Sequence, residues 1–491
     1  MLHIEQLDIF NSISNVLETD STDIYIVGGF IRDTLLNETS NDVDMVVKQD
    51  PITLGNKLAQ ITGGHSYNLS LDHHVRRVEV PVSQGTITID LSQLCGTIED
   101  NLTSRDFTIN SMATPLNSFK SNLWRDSIID PCNGMSDLRN KTLRCNNSDV
   151  FVQDGLRLLR GVRIAAKLKL RIDPYTANVM KSNARHIELA APERVRDEFL
   201  TILSATSAHN QLEILDRLDI LCRIIPELSD TKGVEQPKVH YWDVWGHSIH
   251  AVETAEMVTS GHHNSAIYSL VPWTQEIESH FNEIITDGHS RRTILKLTAL
   301  LHDIAKPQTK TTDSTGRTRF LRHSEEGSEI ANERLSALRL SRTGIKSVCK
   351  MIEEHLRPTN MSYNLDLPTP RAIYRYYRDL EDVAIDTLYL AMADYLAAKG
   401  PEIAPDNWAK HAKMIAHILQ TGSIQPQNDT KPTRLLTGTD IINELGIQPG
   451  PQIGAILEHI NESQAAGIIQ TKEDALTLAG QYISNLHLRG N

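Results

Sequence analysis

In the first hundred positions, apolar residues come in short runs broken by turn residues. "DIYIVGG" (23–29) reads as a strand into a turn, "FIRDTLL" (30–36) as a helix start and "NDVDMVV" (41–47) as a strand. "RRVEVPV" (76–82) and "TITIDLSQL" (86–94) alternate apolar and polar residues, as half-buried strands do. From about residue 150 the period changes: "DGLRLLRGVRIAAKLKL" (154–170) and "PERVRDEFLTIL" (192–203) carry apolar residues three and four apart, the spacing of a helix that buries one face. The pattern predicts an α/β or α+β head followed by helices. Polar stretches with Pro at 226–238 and 422–433 mark candidate boundaries, and no internal repeat is evident.

A chain of 491 residues is long enough for several cores. Its five cysteines (Cys95, Cys132, Cys145, Cys222, Cys349) are scattered without any CxxC spacing, which predicts reduced thiols in a cytoplasmic protein. The sequence does not open on a basic-then-apolar leader and has no run of about 18 apolar residues, so neither secretion nor a membrane span is expected. A net charge of −13 argues against a general nucleic-acid binder, yet residues 155–187 hold eight Lys and Arg against Asp173 alone. That stretch reads as a solvated helix face or as a surface that meets an anion.

Candidate chemistry begins at "NDVDMVV". Asp42 and Asp44 sit at period two, hence on one side of a strand whose apolar part is Val43, Met45, Val46 and Val47. Like charges so close repel, and a cation is expected between or above them. Fourteen positions ahead of Asp42, Gly28 and Gly29 stand at a strand-to-helix turn, with Arg32 one turn later. Paired glycines let backbone approach phosphate oxygens closely, and a helix start adds free N–H groups. A polyphosphate beside a carboxylate pair implies Mg²⁺, which takes one or two carboxylates plus phosphate oxygens.

Together with "SRDFTINSMA" (104–113), "DPCNGMSDL" (130–138), "VQDGLRLLRGVRIAAKL" (152–168) and "PERVRDEF" (192–199), these motifs resemble those of the class II tRNA nucleotidyltransferase and bacterial poly(A) polymerase family, over about residues 20–230. The resemblance implies a head and a helical neck that extend an RNA 3′ end without a nucleic-acid template. It implies that Asp42 and Asp44 bind two Mg²⁺, one activating the 3′-hydroxyl and one steadying the pyrophosphate. By the same resemblance Gly28, Gly29 and Arg32 hold the triphosphate, Arg105, Asp106 and Asn110 address ribose and phosphates, and Arg160 and Arg163 join the nucleotide site.

Asp154 and Arg157, three residues apart, are expected to share a helix face. Cytosine and adenine each present an exocyclic amine beside an unprotonated ring nitrogen, so a carboxylate and a guanidinium can read both, whereas uracil and guanine offer the reverse pattern. On spacing alone, an i,i+3 salt bridge on a solvated helix is the simpler reading. Gln153 stands where the family usually has glutamate. Only 14 residues lie between Asp90 and Arg105, fewer than the longer flexible loop of many CCA-adding members, which resembles enzymes adding part of the CCA end.

A second constellation lies further on. With 20 histidines, about one His-Asp dipeptide is expected by chance, so the company of His302-Asp303 matters more than the pair. "DVWGHSIHAVETA" places His247 on a helix, "LTALLHDIAKP" places His302 and Asp303 on an apolar helix, and His323, His355 and Asp394 follow. This resembles the HD metal-dependent phosphohydrolase domain over about 240–400. The resemblance implies a first metal site of His247, His302, Asp303 and Asp394, with His323 and His355 for a second metal or the substrate. Neutral imidazoles with carboxylates suit Mn, Fe, Ni, Co or Zn better than Mg alone. The alternative is a degenerate HD fold with histidines satisfied in its core, and His250 reads as a bystander. The tail from Arg434 resembles the C-terminal segment of many such nucleotidyltransferases; its "PGPQIG" (449–454) reads as a turn before a helix where phosphate could dock, or as helix punctuation.

The chain therefore reads as α+β: a nucleotidyltransferase head with a mixed sheet (1–145), an all-helical neck (146–235), an HD domain (236–415), and a linker with a helical tail (416–491). The expected function is a tRNA 3′-terminal nucleotidyltransferase acting on tRNA with CTP and ATP, Mg²⁺ in the head, and an HD domain that hydrolyses phosphoesters. A poly(A) polymerase or a partial CC- or A-adding enzyme of the same family is the runner-up. From another class comes an HD phosphohydrolase or RNA-binding protein whose head has lost catalysis, against which the intact Gly28, Asp42, Asp44 and Arg105 speak.

Overall fold

The computed structural model describes residues 24–70, 75–83, 85–119, 124–261, 265–361, 367–423 and 434–489. The boundary read at 422–433 falls mostly outside them. The chain forms two compact units, Met1–Glu198 with Ile214–Ile224, and Phe199–Glu213 with Ile225–Asn491.

The first unit holds a six-stranded sheet made of β1 (Ile24–Val27), β2 (Asp42–Val47), β3 (His65–Ser70), β4 (Val75–Val82), β5 (Gly85–Gln93) and β6 (Ala113–Pro115), in the spatial order β3-β4-β5-β2-β1-β6. Only β2 and β5 run parallel; the other neighbours are antiparallel, which makes the sheet mixed, as expected. Val43, Met45 and Val47 point into the main core with Ile24, Ile26, Ile89 and Leu91. Val46 faces the other way, into a smaller cluster with Val27, Ile98 and Leu102. Both faces of β2 are therefore covered at its C-terminal end, which is why the strand ends on three consecutive apolar residues. At its N-terminal end Asp42 is exposed and Asp44 half-buried.

Helix α1 (Gly29–Leu35) follows β1 directly, and α2 (Pro51–Thr62) follows β2. Asp50 starts α2 by accepting from the Ile52 and Thr53 amides at 3.3 and 2.9 Å, Pro51 occupies the first turn, and Gly63 ends it in the left-handed region. Beyond the sheet, α3 (Arg157–Leu168) buries Leu158, Leu159, Val162 and Ile164 and turns its arginines the other way.

The second unit is helical. Helices α4 (Val244–Val258), α5 (Arg291–Leu301), α6 (His323–Ala337), α7 (Arg342–Glu354), α8 (Pro370–Leu380) and α9 (Ala384–Lys399) precede a tail of α10 (Gly438–Leu445), α11 (Pro451–Ala465) and α12 (Lys472–Arg489). Helix α4 packs on α5 and α9, and α6 on α7. The tail has its own core around Ile441, Ile456 and Ile460, and Glu462 on α11 is ion-paired to Arg371, Arg375 and Arg378 on α8 at 3.2, 2.6 and 3.5 Å. "PGPQIG" is the entry into α11, with Gly450 as N-cap and Pro451 in the first turn. All five cysteines are free thiols, and among the described residues no helix is long and apolar enough to cross a membrane.

Candidate functional site

Asp42 and Asp44 lie on one side of β2, as their spacing requires, and neither carboxylate accepts a hydrogen bond among the described residues. Asp44 is opposite Val27 on one neighbour and opposite Asp90 on the other. That antiparallel register puts the turn after β1 beside the carboxylate. Gly28 there has φ 75°, and a Cβ added to it would stand 3.0 Å from Asp44 Oδ2 and 2.9 Å from Arg105 Nη1, so the glycine is required by space as well as by backbone. Burial pushes the Asp44 carboxyl above its usual range, Asp90 and Asp42 add to the rise, and Arg105 and Arg160 oppose it. Asp90 is held by Arg77 through two hydrogen bonds of 2.7 Å. Asp42 and Asp44 are then the acceptors left over, an all-oxygen pair suited to a hard divalent cation.

A cleft of about 210 Å³ opens beside this pair. Gly29, Arg32, Asp42 and Asp44 form one wall and Arg160, Arg163 and Lys167 of α3 the other. Arg32 is buried, donating to Asp33 Oδ1 at 2.7 Å and Asn110 Oδ1 at 2.5 Å. Asn110 in turn donates to Asp106 at 3.0 Å, and Asp106 pairs with Arg160 at 3.3 Å. The segment "RDFTIN" is therefore one relay: Arg105 reaches the Gly28 turn, while Asp106 and Asn110 connect Arg32 to Arg160. Burial would raise the Asp106 carboxyl, but Arg160, Asn110 and the Phe107 amide outweigh it and hold it low.

The expectation that Asp154 and Arg157 share a face of one helix does not hold. A four-residue helix ends at Gln153, Asp154 has extended backbone (φ −148°, ψ 107°), and α3 begins only at Arg157. At the break Asp154 Oδ1 accepts from the Leu156 amide at 3.0 Å, a side-chain turn that takes the place of a helical bond, and Gly155 lies against the His186 backbone, where a Cβ would meet the carbonyl oxygen at 2.0 Å. Asp154 pairs instead with Arg194 at 3.1 Å, and Arg157 donates to Gln153 Oε1 at 3.1 Å and to the Val150 carbonyl at 3.2 Å. Gln153, the neutral replacement for glutamate, does accept from Arg157.

In the second unit, His247 on α4, His302, Asp303 and Asp394 on α9 converge. His302 and Asp303 are not inside α5: the helix ends at Leu301, His302 is its C-cap and Asp303 lies in the turn after it. His247 Nε2 is 3.1 Å from His302 Nε2, 3.3 Å from Asp303 Oδ2 and 3.0 Å from Asp394 Oδ1. His323, the first residue of α6, and His355, the C-cap of α7, bring their Nε2 atoms to 3.5 and 3.9 Å from Asp303 Oδ1. Three of these imidazoles are oriented identically. His302, His323 and His355 place Nδ1 at 2.8, 2.7 and 2.7 Å from the carbonyls of Ala299, Phe320 and Ile352, three residues upstream. Nδ1–H donates there, leaving Nε2 with its lone pair aimed inward.

The interior of this cluster is rich in lone pairs and poor in protons. His323 Nε2 and both oxygens of the buried Asp303 lack hydrogen-bond donors of acceptable geometry, although Lys306 Nζ stands 2.6 Å from Asp303 Oδ2. The residues fit a metal ion: His247, His302 and Asp394 form one group of convergent ligand atoms, and His302, Asp303 and His355 another. His250 stacks on Trp242 and bonds Glu253 at 2.9 Å, away from the cluster.

Several contributors escaped sequence reasoning. Asp90, Arg77, Arg194 and Glu198 act across strand register or between helices, and Arg163 Nε donates to Glu198 at 2.5 Å. "PERVRDEF" offered the signal for the last two without a role. Lys306 and Gln236, joined at 2.7 Å, edge the His/Asp cluster; "HDIAK" placed Lys306 one turn from Asp303, and nothing in the sequence pointed to Gln236.

The chain matches the family models "Poly A polymerase head domain" over residues 24–144, "Probable RNA and SrmB- binding site of polymerase A" over 169–231 and "HD domain" over 244–399. It is 30% identical to the CC-adding tRNA nucleotidyltransferase of Thermus thermophilus across 92% of each chain, and 27% identical to the A-adding tRNA nucleotidyltransferase of Deinococcus radiodurans across 92% of this chain and 93% of that one. Among solved structures it resembles the Thermotoga maritima CCA-adding enzyme complexed with tRNA at a TM-score of 0.64 and 19% identity, covering 98% of this chain and 96% of that one. This last likeness concerns the fold.

Proposed function

The chain belongs to the tRNA nucleotidyltransferases that build the CCA end of tRNA, and from that premise we propose that it adds the two C residues, using CTP, and stops there. One observation carries the choice. The stretch between Asp90 and Arg105 is consumed by the end of β5, which runs to Gln93, and by a helix at Ile98–Thr103 locked by a capping box between Thr97 and Asp100. Four residues, 94–97, link them, the last of them the N-cap itself. A site that must switch from a small base to a large one needs a segment that can move, and here that segment is short and capped. The CC-adding activity of the Thermus thermophilus relative supports the same reading.

In this reading the tRNA 3′-oxygen attacks the α-phosphorus of CTP and pyrophosphate leaves. Asp42 and Asp44 would hold Mg²⁺, which when bound neutralises phosphate charge and favours the ionised 3′-oxygen. Gly28 and Gly29 let the triphosphate approach the backbone, and Arg32, Arg105, Arg160 and Arg163 face its charge. Arg157 donates to the ring nitrogen of cytosine and Asp154 accepts from its amine, each steadied by a partner, Gln153 and Arg194. The test uses tRNA ending before CCA and tRNA ending in CC, each with CTP, ATP or both. Two C residues on the first and none on the second are expected. Addition of A to the second would reassign the enzyme as A- or CCA-adding, and a long A tract would make it a poly(A) polymerase.

For the second unit we propose a metal-dependent phosphoesterase acting on a damaged RNA end such as a 2′,3′-cyclic phosphate. His247, His302, Asp303 and Asp394 would hold Mn²⁺, Ni²⁺, Co²⁺, Fe²⁺ or Zn²⁺, with His323 and His355 for a second ion or the substrate; a bound ion of this kind lowers the pKa of its water toward neutrality. Repair of an end before extension gives a chemical reason for joining the two activities.

A further inference from the structure

The wall of the head cleft contributed by α3 carries Arg160, Arg163 and Lys167, three and four residues apart. Arg160 and Lys167 are separated by two helical turns, about 10 Å along the axis, and stand at nearly the same azimuth. The cleft thus has cations spread along α3: Arg160 lies close enough to Asp44 to act on its carboxyl, and Lys167 stands two turns further on.

Their states differ. Arg32 is paired with Asp33 at 2.6 Å, Arg160 with Asp106 at 3.3 Å and Arg163 with Glu198 at 2.5 Å. Lys167 is exposed and, among the described residues, has neither an ion pair nor a side-chain hydrogen bond. Each arginine's charge is already opposed by a carboxylate, which fixes its position and reduces what it can offer an incoming anion. Lysine brings an uncompensated, strongly hydrated ammonium on a flexible four-carbon stem.

We propose that Lys167 is the positioning residue for the outer phosphates of the nucleotide and for the pyrophosphate that leaves. As the bond between the α-phosphorus and the bridging oxygen breaks, that oxygen's electron pair and negative charge pass to the pyrophosphate. A cation able to follow the leaving group stabilises the separating charge. Lys167 lines the same cleft as the two carboxylates, two turns beyond Arg160 on α3, within the space a leaving pyrophosphate would occupy if the α-phosphorus lies beside Asp42 and Asp44. This inference rests on the cleft being the nucleotide site, and the basic stretch 155–187 is thereby divided: its cleft-facing members serve the triphosphate.

The test compares wild type, Lys167→Ala and Lys167→Arg in steady-state incorporation and in pyrophosphorolysis of a completed tRNA end. Lys167→Ala is expected to raise the KM for CTP and the inhibition constant of pyrophosphate by about tenfold each, the effect of losing one charge-assisted contact. The KM for tRNA should stay unchanged, and Lys167→Arg should recover most of the loss. A rise in tRNA KM with unchanged CTP and pyrophosphate constants would overturn the proposal in favour of an RNA-backbone contact. Unchanged constants throughout would overturn it in favour of a solvated lysine. Asp44→Asn serves as the control on the cleft itself: if that variant still incorporates CMP normally, the site reading fails independently of Lys167.

Discussion

Asp42 and Asp44 form a pair whose mutual repulsion the fold leaves in place. Burial and the neighbouring Asp90 raise the Asp44 carboxyl, and Arg105 and Arg160 offset only part of that. A site arranged this way is stabilised when a divalent cation and a polyphosphate arrive together. Asn at either position keeps the shape and removes a charge where the reaction needs one. CMP incorporation by Asp42→Asn or Asp44→Asn should fall at least about a hundredfold while tRNA affinity stays at the wild-type value. Near-native incorporation would make the pair structural. At the same scale, the three imidazoles tied to backbone carbonyls show how a histidine is committed to one tautomer: the neighbouring carbonyl accepts from the proton-bearing nitrogen and aims the other into the cluster.

Between residue and molecule, the break before α3 sets Asp154 and Arg157, the pair proposed to read the base, on separate elements. Gly155 lies against the His186 backbone with no room for a side chain. Gly155→Ala should cost about 1–3 kcal/mol, the usual range for overpacking, and should relax discrimination against UTP by displacing Asp154. Melting and misincorporation assays check both halves, and a stable variant with unaltered selectivity would show that the break is incidental. The contact between α8 and α11 depends on Glu462, which Arg375, foremost, together with Arg371 and Arg378, holds below the usual glutamate range despite its burial. A depressed carboxylate contributes stability above its unfolded pKa, near 4.5, and loses it as pH falls through the folded value. The melting temperature of Glu462→Gln should therefore lie below that of wild type at pH 7, and the gap should close as the pH drops below about 4.5. A gap independent of pH would assign the effect to packing.

For the whole molecule, each candidate site draws its side chains from a single compact unit. The two chemistries should separate cleanly. His302→Ala is expected to abolish Mn²⁺ binding measured by calorimetry and hydrolysis of a 2′,3′-cyclic nucleotide, with CMP addition preserved. Asp44→Asn should show the converse. Absence of metal-stimulated release from cyclic nucleotides in the wild type would leave the second unit without the proposed activity. Much of this was legible beforehand because it is local. Period-two alternation placed Asp42 and Asp44 on one side of a strand, the glycine pair marked the turn beside them, and the helical period after residue 150 announced a mixed head followed by helices. Other features depend on residues distant in sequence. Asp90 joins the carboxylates through parallel pairing with β2, Arg194 takes Asp154 from a helix forty residues on, and the His186 backbone leaves no room for a side chain at Gly155, in the turn between Asp154 and Arg157. Sequence by itself determined which side chains each segment can present, since residue type and local period set that. Tertiary structure alone decided which of them are paired and which are left to act, because a charge is spoken for only when packing brings a partner from another element within reach.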